Sequence, residues 1–141
     1  ATLSAAGVPV GVMVAPVIPG LNDSEIPALP RAARAAGAQA ASFVLLRLPG
    51  NVEPVFRDWL ERLRPLKARL VEQRILETRG GKLNESAFGA RMRGQGPLAE
   101  QVSRLFAVFK QQCGYPPALV EHDCSQFVRP AKRSAQRRLF E

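Results

Sequence analysis

VPVGVMVAPVIPGLNDSE, residues 8–25, sets an apolar run, a Pro/Gly turn and a helix start end to end. Val8, Val10, Val12, Met13 and Val14 form a short, β-branched-rich run between Gly7 and the cluster of Pro16, Pro19 and Gly20. A run so short and so apolar reads as a strand buried on both faces, as parallel strands are. Asp23, Ser24 and Glu25 follow with polar side chains able to accept from free backbone N–H groups, which marks a helix N-terminus. In open or barrel α/β folds this junction lies at the carboxyl end of the strand, where ligands bind.

Upstream, residues 1–6 read as the tail of a helix closed by Gly7, a position that favours a left-handed residue. Downstream, a helix is expected from Ser24 to Ala36, with Ile26, Leu29, Ala33 and Ala36 on one face and Gly37 as its stop. Pro30 is expected to kink it, since an interior proline costs about 3 kcal/mol. A second apolar run, SFVLLRL at 42–48, ends at Pro49-Gly50. Strand, helix and strand in quick succession give a βαβ unit with parallel strands.

The pattern then turns helical. Val55, Phe56, Trp59, Leu60 and Leu63 share one side of residues 53–63, and Trp59 is assigned to the core. Pro65 breaks that helix, and residues 66–78 resume with Leu66, Leu70, Ile75 and Leu76. Residues 79–96, RGGKLNESAFGARMRGQG, carry five glycines and no clean period. Glycines allow close backbone approach and arginines grip phosphate bidentately, so Arg79, Lys82, Arg91 and Arg93 are the candidate nucleic-acid contacts. A last helix starts at Pro97, with Leu98, Val102, Leu105, Phe106 and Phe109 at three- and four-residue steps, and stops at Gly114. Beyond Tyr115 the pattern dissolves into a basic tail.

The 141 residues suffice for one domain with its own core, and 46% hydrophobic with 23% charged residues is a globular composition. The apolar runs are far short of a membrane span, and the N-terminus lacks a basic region ahead of an apolar one. A cytoplasmic protein is the expectation, and two cysteines, Cys113 and Cys124, fit free thiols in a reducing compartment. His122 lies close to Cys124, but two ligands do not make a metal site. Any nucleophile–base triad would have to use His122, the one histidine. The chain opens at Ala1, which suggests a piece of something longer. Charge is uneven: residues 1–78 hold nine Lys/Arg against seven Asp/Glu, and residues 79–141 hold eleven against five. The second half is therefore expected to meet an anionic partner.

Pro16-Val17-Ile18-Pro19-Gly20-Leu21-Asn22-Asp23-Ser24-Glu25 resembles the fifth-strand motif of radical S-adenosylmethionine (radical SAM) enzymes. Ile18 and Gly20 occupy the positions that shape the adenosine pocket in that family, while Asp23 replaces a common Glu and Pro16 a common Gly. Leu45-Leu46-Arg47-Leu48-Pro49-Gly50, Arg79-Gly80-Gly81-Lys82-Leu83 and Phe88-Gly89-Ala90-Arg91-Met92-Arg93-Gly94-Gln95-Gly96-Pro97 are similar to later runs of one bacterial branch. From Leu3 to about Phe140 the chain resembles the carboxyl-terminal half of that branch, which is related to spore photoproduct lyase and called "DNA repair photolyase"-like.

The resemblance implies an α/β fold in which residues 1–78 are the carboxyl-terminal part of a partial (β/α)6 barrel. Residues 79–114 form a Gly/Arg-rich loop and helix, and 115–141 a basic tail. It implies a lyase-like enzyme in which a 4Fe-4S cluster cleaves S-adenosyl-L-methionine, with the three-cysteine cluster loop outside this chain, in the missing N-terminal half of the barrel. Ile18, Gly20, Leu46 and Leu48 become the cofactor-binding candidates, no catalytic or metal residue is assigned here, and nucleic acid is the implied substrate class. The alternative, drawn from charge, is a basic nucleic-acid-binding module without catalytic activity. Gln136-Arg137-Arg138-Leu139-Phe140 is similar to the short peptide by which bacterial repair proteins dock on the sliding clamp.

Overall fold

Two parallel strands organise the chain. The computed structural model describes residues 1–84, 90–117, 124–125 and 127–129. After a single helical turn, α1 (Thr2–Ala5), comes β1 (Gly11–Val17), then a 3-10 turn at Asp23–Glu25 and α2 (Ala28–Ala35). β2 (Ala40–Leu45) follows, then a helical hairpin of α3 (Val52–Leu63) and α4 (Pro65–Glu77), the short α5 (Ala90–Arg93) and the long α6 (Gly96–Gln112). The α/β class and the parallel βαβ unit agree with expectation.

β1 pairs with β2 from Gly11↔Ala40 through Val14↔Phe43 to Val17↔Leu45, with an irregularity between Val14 and Val17. Pro16 lies in that irregularity, where it has no N–H to offer the ladder. Gly7 (φ 78°) and Gly37 (φ 94°) close the two flanking helices in the left-handed region that other residues avoid.

The helix expected at 24–36 is split. Asp23 and Asn22 spend their side chains on the preceding loop, so α2 starts only at Ala28. Pro30 then falls in its first turn, where no N–H is required, and is buried without breaking the helix.

One face of the sheet is the core. Val14 and Val17 with Ala41 and Leu45 pack against Ile26 and against Ala99, Val102 and Phe106 of α6, with Tyr115 completing the cluster. The rings of Phe43 and Phe106 lie 4.8 Å apart. The other face is open among the described residues: Gly11, Met13 and Ala15 are exposed, Met13 by 60%. The strand expected to be buried on both sides is buried on one. Periodicity could not show this, because apolar residues line both faces.

A second cluster sits beyond the carboxyl ends of the strands, with Leu46 and Leu48 against Leu60 of α3 and Val71 and Ile75 of α4. Trp59 is half-buried against it, tilted on Phe56 at 5.7 Å, so its core assignment holds only in part. α4 buries only some of the apolar residues read along it. Val71 and Ile75 are buried, while Leu66 is wholly exposed and Leu70 half so.

Candidate functional site

The loop after β1 holds itself. The Ile18 N–H donates to Asn22 Oδ1 (2.6 Å) and the Gly20 N–H to Asp23 Oδ2 (3.0 Å). Asn22 returns a hydrogen bond from Nδ2 to the Pro16 carbonyl (3.0 Å), and the Leu21 and Asn22 N–H groups both donate to the Ile18 carbonyl. Small polar residues at 22 and 23 are therefore what the turn needs to satisfy its own backbone. Gly20 has φ 84°, and a Cβ there would meet Arg74 Cδ at 3.0 Å. Its glycine answers to backbone conformation and to α4.

Ile18, Leu46 and Leu48 come together in or against the second cluster, with Gly20 beside them on α4. Leu48 is 1% exposed and Leu46 8%, so their side chains are spent on α3 and α4. Ile18 is half-buried. These four do not by themselves form a nucleoside cavity: two are walled off, one is backbone, and the turn's N–H groups are already engaged. Among the described residues no group of three or more His, Cys, Asp or Glu is placed to hold a metal ion. Cys113 is half-buried and Cys124 exposed, both as free thiols. His122 and the tail peptide from Gln136 to Phe140 lie outside the described residues.

The four basic candidates separate. Arg79, expected to grip phosphate, is 2% exposed, and its Nη2 donates to the carbonyls of Leu46 (2.7 Å) and Leu45 (3.3 Å). Turned inward, it finishes the carboxyl end of β2 and has no face for an external anion. That expectation is corrected. Lys82 and Arg93 are exposed, and the side chain of Arg91 lies outside the described residues. The glycines of this region also have packing duties. The Gln95 N–H donates to the Thr78 carbonyl, and a Cβ on Gly94 would come within 2.9 Å of that same oxygen and 2.8 Å of Leu45 Cδ1.

Compared with family models, curated proteins and solved structures, the chain matches none. The site must be read from its own geometry.

That geometry adds a feature the sequence did not single out. A groove of about 990 Å³ is lined by Ala41–Phe43 of β2, Met92 and Arg93 of α5, and Phe106 and Lys110 of α6, among others. Lys110 in sequence is simply a cation in the last helical turn, where it complements the helix dipole. Nothing in its spacing announces a site. Its Nζ donates to the Pro117 carbonyl (3.2 Å), which holds the ammonium beside the groove. Arg47 Nη1 donates to Met92 Sδ (3.7 Å), bringing a third cation near. No helix among the described residues is long and apolar enough to cross a membrane.

Proposed function

We propose that this chain is the carboxyl-terminal part of a radical SAM barrel, supplying two strands and their outer helices to a fold completed by other strands. The observation that carries it is the one-sided sheet. Helices bury the face of Val14 and Leu45, while Gly11, Met13 and Ala15 stand open on the other. A parallel sheet is ordinarily covered on both faces. A barrel wall is covered outside by helices and inside by the remaining strands. The sequence likeness at residues 16–25 and 79–97 supplies the chemical class.

In this reading the cluster ligands and most of the S-adenosylmethionine pocket come from outside the chain. The reductive chemistry belongs to that cluster. Residues 16–25 contribute a rigid, self-satisfied turn at the carboxyl end of the wall, and Ile18 is the side chain closest to carrying a ligand contact. The test is product release. The native protein or complex that carries this chain, reconstituted anaerobically with iron and sulfide, should yield 5′-deoxyadenosine from S-adenosylmethionine on addition of dithionite. A cluster-loaded preparation that yields none overturns the reading.

A further inference from the structure

The groove beside β2 joins positive charge to exposed apolar surface. None of its lining residues comes from β1, so it runs along the margin of β2 that β1 leaves unpaired. Among the described residues Arg93 and Lys110 are its charged lining residues, and no Asp or Glu is among them. Its apolar lining includes Phe43, Phe106 and Met92, the last 41% exposed. About 990 Å³ is at the upper end of what small-molecule sites offer. Two cations beside an aromatic and apolar surface recognise a ligand that carries an anion and a planar ring on one short frame.

We propose that this groove binds a nucleotide unit, its phosphate between Arg93 and Lys110 and its base against Phe43 and Met92. An acidic peptide would satisfy the cations and leave the apolar surface wet, so the nucleotide is the better fit. The unit is either a free nucleotide or one residue of a single strand, and the same contacts serve both. The site does not depend on the barrel reading, and its test measures no cleavage of S-adenosylmethionine.

The experiment titrates the folded chain with deoxycytidine 5′-monophosphate and with a fluorescent (dC)12 strand, using deoxycytidine, inorganic phosphate and hexaglutamate as controls. Arg93→Gln combined with Lys110→Gln should weaken the bound probe at least tenfold. For the strand it should flatten the log–log salt slope by about 0.7, the value for one neutralised phosphate of a single strand. Arg31→Gln combined with Arg69→Gln removes equal charge from exposed positions elsewhere and should change affinity less than twofold. Binding of the mononucleotide identifies a free-nucleotide site, and binding of the strand alone identifies single-stranded nucleic acid. Either result, with the groove-specific loss, supports the proposal. Equal weakening by both double variants, competition by hexaglutamate or phosphate as effective as by the nucleotide, or no binding of either probe at millimolar concentration overturns it.

Discussion

Arg79 is the side chain whose role changes most between sequence and structure. An arginine just ahead of a glycine pair invites a phosphate, yet here the guanidinium closes the end of β2 from inside. Hydrogen bonds from a charged donor contribute about 1.5–3 kcal/mol each when buried. Arg79→Gln should therefore lower unfolding free energy by about 2–4 kcal/mol in urea melts, while Lys82→Gln, on an exposed position, should stay within about 0.5 kcal/mol of the parent. Tyr115 is a second buried anchor. Its hydroxyl donates to the Pro30 carbonyl at 2.9 Å, joining positions 85 residues apart, with the Arg34 guanidinium 5.4 Å over its ring. Burial first, and the neighbouring Cys113 second, hold its phenol above the ordinary value of 10, while Arg34 pulls the other way. The folded state thus keeps this proton more tightly than the unfolded chain. The stabilisation is complete below about pH 10 and is lost as pH rises through the folded value. Tyr115→Phe should cost about 1–2 kcal/mol at neutral pH, and its melting temperature should fall less steeply than the parent's above about pH 10.

At the scale of elements, punctuation was legible and facing was not. Gly7, Gly37, Pro65 and Pro97 announced helix ends because each satisfies a local backbone demand that depends on no distant partner. Of the apolar residues read along α4, Ile75 is buried but Leu66 and Leu70 are not, and apolarity could not separate them, since they are as apolar as the buried Val71. Only the position of Leu46 and Leu48 decides which of them face inward. The site was legible in the same uneven way. Residues 18, 20, 46 and 48 meet at one end of the sheet as their strand-end positions required, but the groove unites positions 43, 93 and 110, and no spacing links them. The meeting of residues 78 and 94 is equally silent in sequence. Gly94→Ala should cost about 3 kcal/mol or more, since it adds a left-handed penalty to contacts under 3 Å with Leu45 and the Thr78 carbonyl. Gly81→Ala, with φ 84° and open space around it, should cost about 1–2 kcal/mol. Equal losses for the two variants would mean that close packing at 94 contributes nothing.

For the whole molecule, the open face of the sheet is the dominant fact. Two paired strands with an exposed Met13 form a surface suited to another sheet or a second copy. The isolated chain should self-associate at tens of micromolar in sedimentation velocity runs. Met13→Lys should return it to monomer with its melting temperature little changed, because that side chain supports nothing beneath it. A parent chain that stays monomeric at those concentrations would show that the open face is no docking surface.

The hydrogen bond from Gln95 to the Thr78 carbonyl, with Gly94 pressed against the same oxygen, clasps the end of α4 to the start of α6. Between those positions the chain returns to the sheet, since α5 packs on β2 and Leu83 on the cluster at the strand ends. Gly94 is thereby tied to β2 as well, because a side chain there would strike Leu45.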